Sequence, residues 1–225
     1  GPLGQGVSNS VGMAVAERWL ADRYNRDGYN LVDHHTYALC SDGDLMEGVS
    51  HEVAEFAGHQ RLGKLIWIFD DNKITIEGST DLTSSTDHIS RFESYRWHTV
   101  CVEDGNDLDQ INEAIEQAKT ETEKPSLIVL KTRIAEGSPN KVDTSSAHGS
   151  PLGLEEIKAT KNNIDYPSHE PFYVEPQALA NWRKTSDRGE AAEEQWDKLY
   201  ESYKATHPKL AKEYIALMKG NLTQD

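Results

Sequence analysis

Five consecutive apolar residues, Leu65-Ile66-Trp67-Ile68-Phe69, followed at once by Asp70-Asp71-Asn72, constrain this chain more than any other stretch. A strand with one face in water alternates apolar and polar side chains. A strand covered on both faces has no reason to alternate. Tyr37-Ala38-Leu39-Cys40, Thr99-Val100-Cys101-Val102 and Ser126-Leu127-Ile128-Val129-Leu130 are shorter runs of the same kind. Helical patterns separate them. Ser8 to Tyr24 places Val11, Val15 and Trp19 on one expected core face. Leu45 to Gln60 reads as a second helix. Leu108 to Thr122 is a third, with Ile111, Ile115 and Ala118 inward. Buried strands alternating with helices predict an α/β fold: a doubly wound, mainly parallel sheet with helices on both faces.

Residues 136–152 form a polar loop rich in Gly, Pro and Ser, and loops of that length inside a domain usually serve a function. Residues 153–165 are helical in pattern. Pro167, Pro171 and Pro176 interrupt it, and from Gln177 onward the chain is acidic helix. The expected division is an α/β ligand-binding domain over 1–165 and a helical extension over 166–225. With 23 Lys and Arg against 38 Asp and Glu, the net charge is −15, which repels a phosphate backbone and argues against nucleic acid as partner. A small phosphate ligand then needs a local device such as a metal ion or a helix N-terminus. No apolar run approaches the roughly 18 residues of a membrane span. Cys40 and Cys101, far apart and in apolar sequence surroundings, suit reduced thiols in a cytoplasmic protein.

The chemistry concentrates at two strand ends. Cys40-Ser41-Asp42-Gly43-Asp44 closes one apolar run and opens a helix, and Asp70-Asp71-Asn72-Lys73-Ile74 closes the next. Ligands of doubly wound sheets bind outside the carboxyl ends of the strands. If the two strands are neighbours, Asp42 and Asn72 come together. One carboxylate, one amide oxygen and a nearby main-chain carbonyl are hard oxygen donors suited to Mg2+ completed by phosphate oxygens and water. Read singly, each piece is an ordinary turn or loop opening. An EF-hand is excluded, because Met46 and Glu47 stand where that loop requires a ligand and a glycine.

Asp42-Gly43 with Asn72 downstream resembles the thiamine diphosphate signature, and the wider pattern resembles the transketolase family. The resemblance rests on Gly1-Pro2-Leu3-Gly4-Gln5-Gly6, Asp33 to Tyr37, Asp42 to Glu52 and Gly63 to Ile66. It continues through Asp70-Asp71-Asn72, Arg91-Phe92-Glu93-Ser94-Tyr95, Lys124 to Leu127, Gly137 to Lys141 and His148 to Gly153. Alone, Gly1-Pro2-Leu3-Gly4 also reads as the scar of a cleaved tag. The continuation into Gln5-Gly6-Val7-Ser8-Asn9 makes it a natural loop of the family.

The resemblance implies the rest. Gly1, Pro2 and Leu3 would touch the aminopyrimidine of thiamine diphosphate, and Gly43 would face its diphosphate. Asp42, Asn72 and the Ile74 carbonyl would hold Mg2+ (or Ca2+), and Asn72 would thereby belong to the cofactor site. Ile76 would pack on the thiazolium, with Ile134 opposite. His148 and Glu47 would be the catalytic residues, His148 near diphosphate and substrate, where it would also bind the cofactor, and Glu47 near a dimer interface in a carboxylate pairing that links two sites. The implied reaction is transfer of a two-carbon ketol unit from a ketose phosphate to an aldose phosphate, in the pentose phosphate pathway. A family member also carries a segment before this loop and a pyrimidine-binding domain after this one. The expectation is therefore a partial catalytic unit, active only as a dimer of the complete protein. The alternatives are a related thiamine enzyme such as dihydroxyacetone synthase, or a non-catalytic scaffold of the same fold. Two departures stand out: Ser41 replaces the first glycine of the signature, and Ala135-Glu136 replace a glycine and an aromatic.

Overall fold

The computed structural model describes residues 2–221, so the expected cofactor contact at Gly1 lies outside the described residues. The chain divides into two compact units. One comprises residues 1–15 and 35–169, the other 16–34 and 170–225.

The first unit is built on a sheet of four parallel strands, β1 (Thr36–Ser41), β2 (Leu65–Asp71), β5 (His98–Val102) and β6 (Ser126–Lys131), in the order β1-β2-β6-β5. A two-residue pair, β3 (Ile74–Thr75) with β4 (Gly78–Ser79), forms a separate antiparallel hairpin after β2. The unbroken apolar runs of β2 and β6 are explained by packing on both sheet faces; the run Tyr37–Cys40, expected to be of the same kind, is covered on one face only, with Ala38 and Cys40 packed and Tyr37 and Leu39 exposed. Leu65, Trp67, Phe69, Leu127 and Val129 join one cluster with Val7, Val11 and Ala14 of α1 (Gln5–Tyr24), with Ala54 and Ala57 of α3 (Gly48–His59), and with Phe92 of α4 (His88–Ser94). Ile66, Ile128 and Val102 point the other way, onto Ala114 and Ala118 of α5 (Leu108–Thr120). Ile111 and Ile115 pack at the edge of that second cluster, as their spacing predicts.

Three expectations need correction. The inward face of α1 is Val7, Val11 and Ala14, whereas Val15 and Trp19 are exposed. A row spaced by four residues drifts about 40° per step around a helix of 3.6 residues per turn, so Val15 and Trp19 rotate progressively away from the buried arc of Val7, Val11 and Ala14. The expected helix from Leu45 is in fact two, α2 (Asp42–Met46) and α3, separated by Glu47 in an extended conformation. Cys101 is exposed, its thiol hydrogen-bonded to Glu103, while Cys40 is buried; both are free. Among the described residues no helix is long and apolar enough to cross a membrane.

The second unit pairs α7 (Pro176–Thr206) with α8 (Pro208–Met218), the chain turning at the proline that cannot continue α7. Tyr203, Ala211 and Tyr214 pack with Tyr24, Leu31 and Val32. The Tyr203 hydroxyl donates to the Tyr24 carbonyl at 2.7 Å, and Arg23 pairs with Glu213 at 2.7 Å.

Candidate cofactor site at the ends of the first two strands

β1 and β2 are adjacent and parallel, with Ser41 opposite Asp70. Their carboxyl ends therefore deliver Asp42 and Asp70-Asp71-Asn72 to one edge of the sheet. Asp42 opens α2 directly, so no free turn intervenes between strand and helix. Ser41 sits at φ −115°, extended backbone open to any residue, which is why the signature's first glycine is dispensable here.

The loop before α1 is fastened to this strand end. Asp44 accepts from the main-chain N–H of Ser41 at 2.9 Å, from the Ser41 hydroxyl at 3.1 Å and from the main-chain N–H of Gly4 at 3.0 Å. Gly4 must be glycine: its φ is +75°, and a Cβ would lie 2.9 Å from Cβ of Glu47 and from the Ser50 hydroxyl. A Cβ on Gly43 would lie 3.3 Å from Leu3 Cδ1, tighter than ordinary contact, so the end of the Leu3 side chain sits directly against this glycine. Pro2 and Leu3 are exposed beside it.

On β2, the Asn72 amide donates to Asp70 at 3.1 Å, and its oxygen accepts from the Ile74 N–H at 2.9 Å. Asp70 also accepts from the Thr132 hydroxyl, just past β6. Asp71 is 8% exposed and pairs with Lys73 at 2.8 Å; Lys73 itself adopts a left-handed φ of 62°. Burial holds the Asp42 carboxyl above the usual carboxylate range. Asp70 and Asp71 push it the same way, against its own backbone hydrogen bond and the opposing charge of His148. His148, which closes the short 3-10 turn Ser145–Ala147, is thus close enough to Asp42 to act on it electrostatically. A cavity of about 200 Å3 opens beside Asp42, lined also by Met46, Phe69, Asp71, Lys73 and His88.

The sequence-nominated residues fall into groups. Asp42, Gly43, Asn72 and Ile74 lie at the paired strand ends, with Leu3 against Gly43 and His148 within electrostatic reach. Ile76 is carried outward between β3 and β4 and is 70% exposed. Glu47 is exposed at the break between α2 and α3. Ile134 is half-buried near the turn at Ala135, whose φ is +55°, a left-handed conformation where the family pattern has glycine. Glu136 is engaged by both ends of the Arg133 guanidinium, at 2.6 and 2.7 Å.

Sequence reasoning gave no role to five side chains in and around this region. Asp44, three residues past Ser41, carries the capping-box spacing and was readable from it. Asp70 with Thr132 carried no signal, since Thr132 is 62 residues away. His88 and His51 each hold a buried, unpartnered Nδ1; His88 packs on Phe69 with ring centroids 5.1 Å apart. Burial lowers the pKa of both histidines.

Among the described residues no three His, Cys, Asp or Glu side chains could hold a metal by themselves. The available donors are of another kind: the Asp42 carboxylate, the Asn72 amide oxygen and the Ile74 carbonyl. As hard oxygen donors they fit a divalent cation carrying phosphate oxygens.

Comparison with known proteins supplies the rest. Residues 1–223 match the family model described as transketolase, thiamine diphosphate binding domain. The chain is 48% identical to a transketolase of Halalkalibacterium halodurans over 224 residues, covering 100% of this chain and 34% of the relative. It is 48% identical to one of Nostoc sp. over 223 residues, covering 99% of this chain and 33% of the relative. Among solved structures, a mutant transketolase of Pichia stipitis in complex with fructose-6-phosphate superposes with a TM-score of 0.96 at 39% identity, over 100% of this chain and 33% of that one. The transketolase of Leishmania mexicana gives 0.96 at 39%, over 99% and 33%. The chain spans about a third of the length of the relatives it matches.

Proposed function

The chain belongs to the transketolase family, through its thiamine diphosphate binding domain, and we propose that it supplies the diphosphate- and Mg2+-binding half of a transketolase active site. The complete unit would transfer a two-carbon ketol group from a ketose phosphate to an aldose phosphate, in the pentose phosphate pathway. Residues 1–165 would bind cofactor and 166–225 would extend from it. A pyrimidine-binding domain would supply the other half, in a dimer. The free thiols suit a cytoplasmic enzyme.

The observation that carries this reading is the pairing of β1 with β2, Ser41 opposite Asp70, which supports bringing Asp42 and Asn72 to one edge of the sheet, in a chain matched to the family over residues 1–223. Asp42, the Asn72 oxygen and the Ile74 carbonyl would hold Mg2+, and the cation offsets the charge that a −15 protein turns toward a diphosphate. Gly43 would face that diphosphate. Gly1, Pro2 and Leu3 would contact the pyrimidine, and Ile76 would cover the thiazolium. His148 would donate a hydrogen bond or move a proton between the diphosphate and substrate. Glu47 would lie where two subunits meet. When bound, thiamine diphosphate supplies the carbanion chemistry of the ketol transfer.

Calorimetry with thiamine diphosphate on the protein joined to its pyrimidine-binding half tests this. Binding that requires Mg2+ and is lost in Asp42→Ala supports the reading. Binding indifferent to both rejects it. Ribose 5-phosphate as a better acceptor than formaldehyde separates transketolase from dihydroxyacetone synthase.

A further inference from the structure

We infer that Asp70 is a positioning residue that selects which end of the Asn72 amide faces the cation, and that Thr132 holds Asp70 in place for it. The inference rests on the function proposed above. A carboxamide is nearly symmetric in shape, and only its oxygen can bind a metal; the NH2 end repels one. Whichever end faces the site must be decided by the neighbours. Two of them agree here. The Asp70 carboxylate accepts hydrogen bonds only, and it takes the Asn72 Nδ2 at 3.1 Å. The Ile74 N–H donates only, and it meets Oδ1 at 2.9 Å. With an acceptor on one side and a donor on the other, the flipped amide would lose both bonds. Oδ1 keeps a second lone pair for a cation.

Asp70 is exposed and would be free to turn were it not tied elsewhere. Its other oxygen accepts from the Thr132 hydroxyl. The β2–β6 register, which pairs Asp70 with Leu130 and Asp71 with Lys131, brings Thr132 there. The relay therefore starts at the end of β6, crosses to the end of β2 and finishes on a ligand. Such outer partners fix ligand orientation, and their removal commonly lowers metal affinity 10–100-fold. Asp70 also adds negative charge near Asp42, so a test must separate orientation from charge.

The experiment is calorimetric titration of Mg2+ into the assembled protein with thiamine diphosphate present. Asp70→Asn is expected to weaken Mg2+ about tenfold. Thr132→Val, which changes no charge, is expected to weaken it in the same direction by less. In an Asn72→Asp background both ends of the side chain are oxygen, so orientation no longer matters, and the loss from Asp70→Asn should shrink. Equal losses in both backgrounds with a silent Thr132→Val would overturn the inference in favour of charge alone. So would wild-type affinity in both single variants. Absence of any Mg2+ dependence in the wild-type protein would remove the proposed function first, and this inference with it.

Discussion

The main-chain N–H of Gly4 donates to the Asp44 carboxylate at 3.0 Å, a bond spanning 40 residues of sequence. The same carboxylate caps Ser41. One side chain therefore ties the loop of the first residues to the end of β1. Asp44→Ala removes the acceptor for three donors, and each unsatisfied donor costs about 1–3 kcal/mol unless water replaces the partner. We expect a loss of about 2–3 kcal/mol in urea unfolding. The Gly4 amide should also exchange faster by a larger factor than the core amides of β2.

Gly4→Ala is expected to cost more than an ordinary surface change. It forces an L side chain to φ +75° and a Cβ to within 2.9 Å of Glu47 and Ser50. The backbone term alone is about 1–2 kcal/mol, and overpacking adds about 1–3 kcal/mol. A variant whose denaturation midpoint matches wild type would show that this loop relaxes freely.

Ala135→Gly should do the opposite. Ala135 is held at φ +55°. Relief of that strain, about 1–2 kcal/mol, exceeds the extra unfolded-state entropy of glycine, about 0.4–1 kcal/mol. A gain of roughly 0.5–1 kcal/mol is expected, read as a higher urea midpoint at unchanged slope.

Mild acid should destabilise the first unit through two imidazoles whose buried Nδ1 atoms have no hydrogen-bond partner. Burial lowers the pKa of His51 and His88 in the folded chain from the ordinary 6.5. The unfolded chain then binds more protons than the native one, so stability rises with pH across that interval. It should be whole above pH 6.5 and fall as pH drops below it toward the folded values. Unfolding free energies at pH 8 and pH 5.5 measure the drop. Replacing both histidines by Asn should flatten it.

Asp42 titrates in the other sense. Its folded pKa is raised by burial, with Asp70 and Asp71 adding to it. The native state therefore holds its proton to higher pH than the unfolded chain does, and the ionised carboxylate opposes folding. Asp42→Asn should raise the melting temperature of the metal-free protein while abolishing Mg2+-dependent cofactor binding. A variant less stable than wild type without metal would contradict this account.

Much of the architecture was legible because burial on two faces leaves an unmistakable mark: Leu65 to Phe69 has nowhere polar to point. The strand ends followed, and with them Asp42 and Asn72. The break at Glu47 carried only a weak mark, the Gly48 that follows it, because a lone glycine is tolerated inside a helical pattern. Asp70 and Asp71, expected to stop β2, are part of it, because pairing with Leu130 and Lys131 of β6 outweighs their weak strand preference. The partners of Asp70 and the orphaned nitrogens of His51 and His88 depend on side-chain encounters between distant segments, for which periodicity carries no information.

β1 occupies an edge of its sheet, and on one face of it Leu39 is 80% exposed and Tyr37 45%. An open edge of that kind is a template for another strand. Its last residue, Ser41, leads directly into Asp42. Twist is continuous along a strand, so a strand laid along this margin would act on the same β1 end from which Asp42 begins α2.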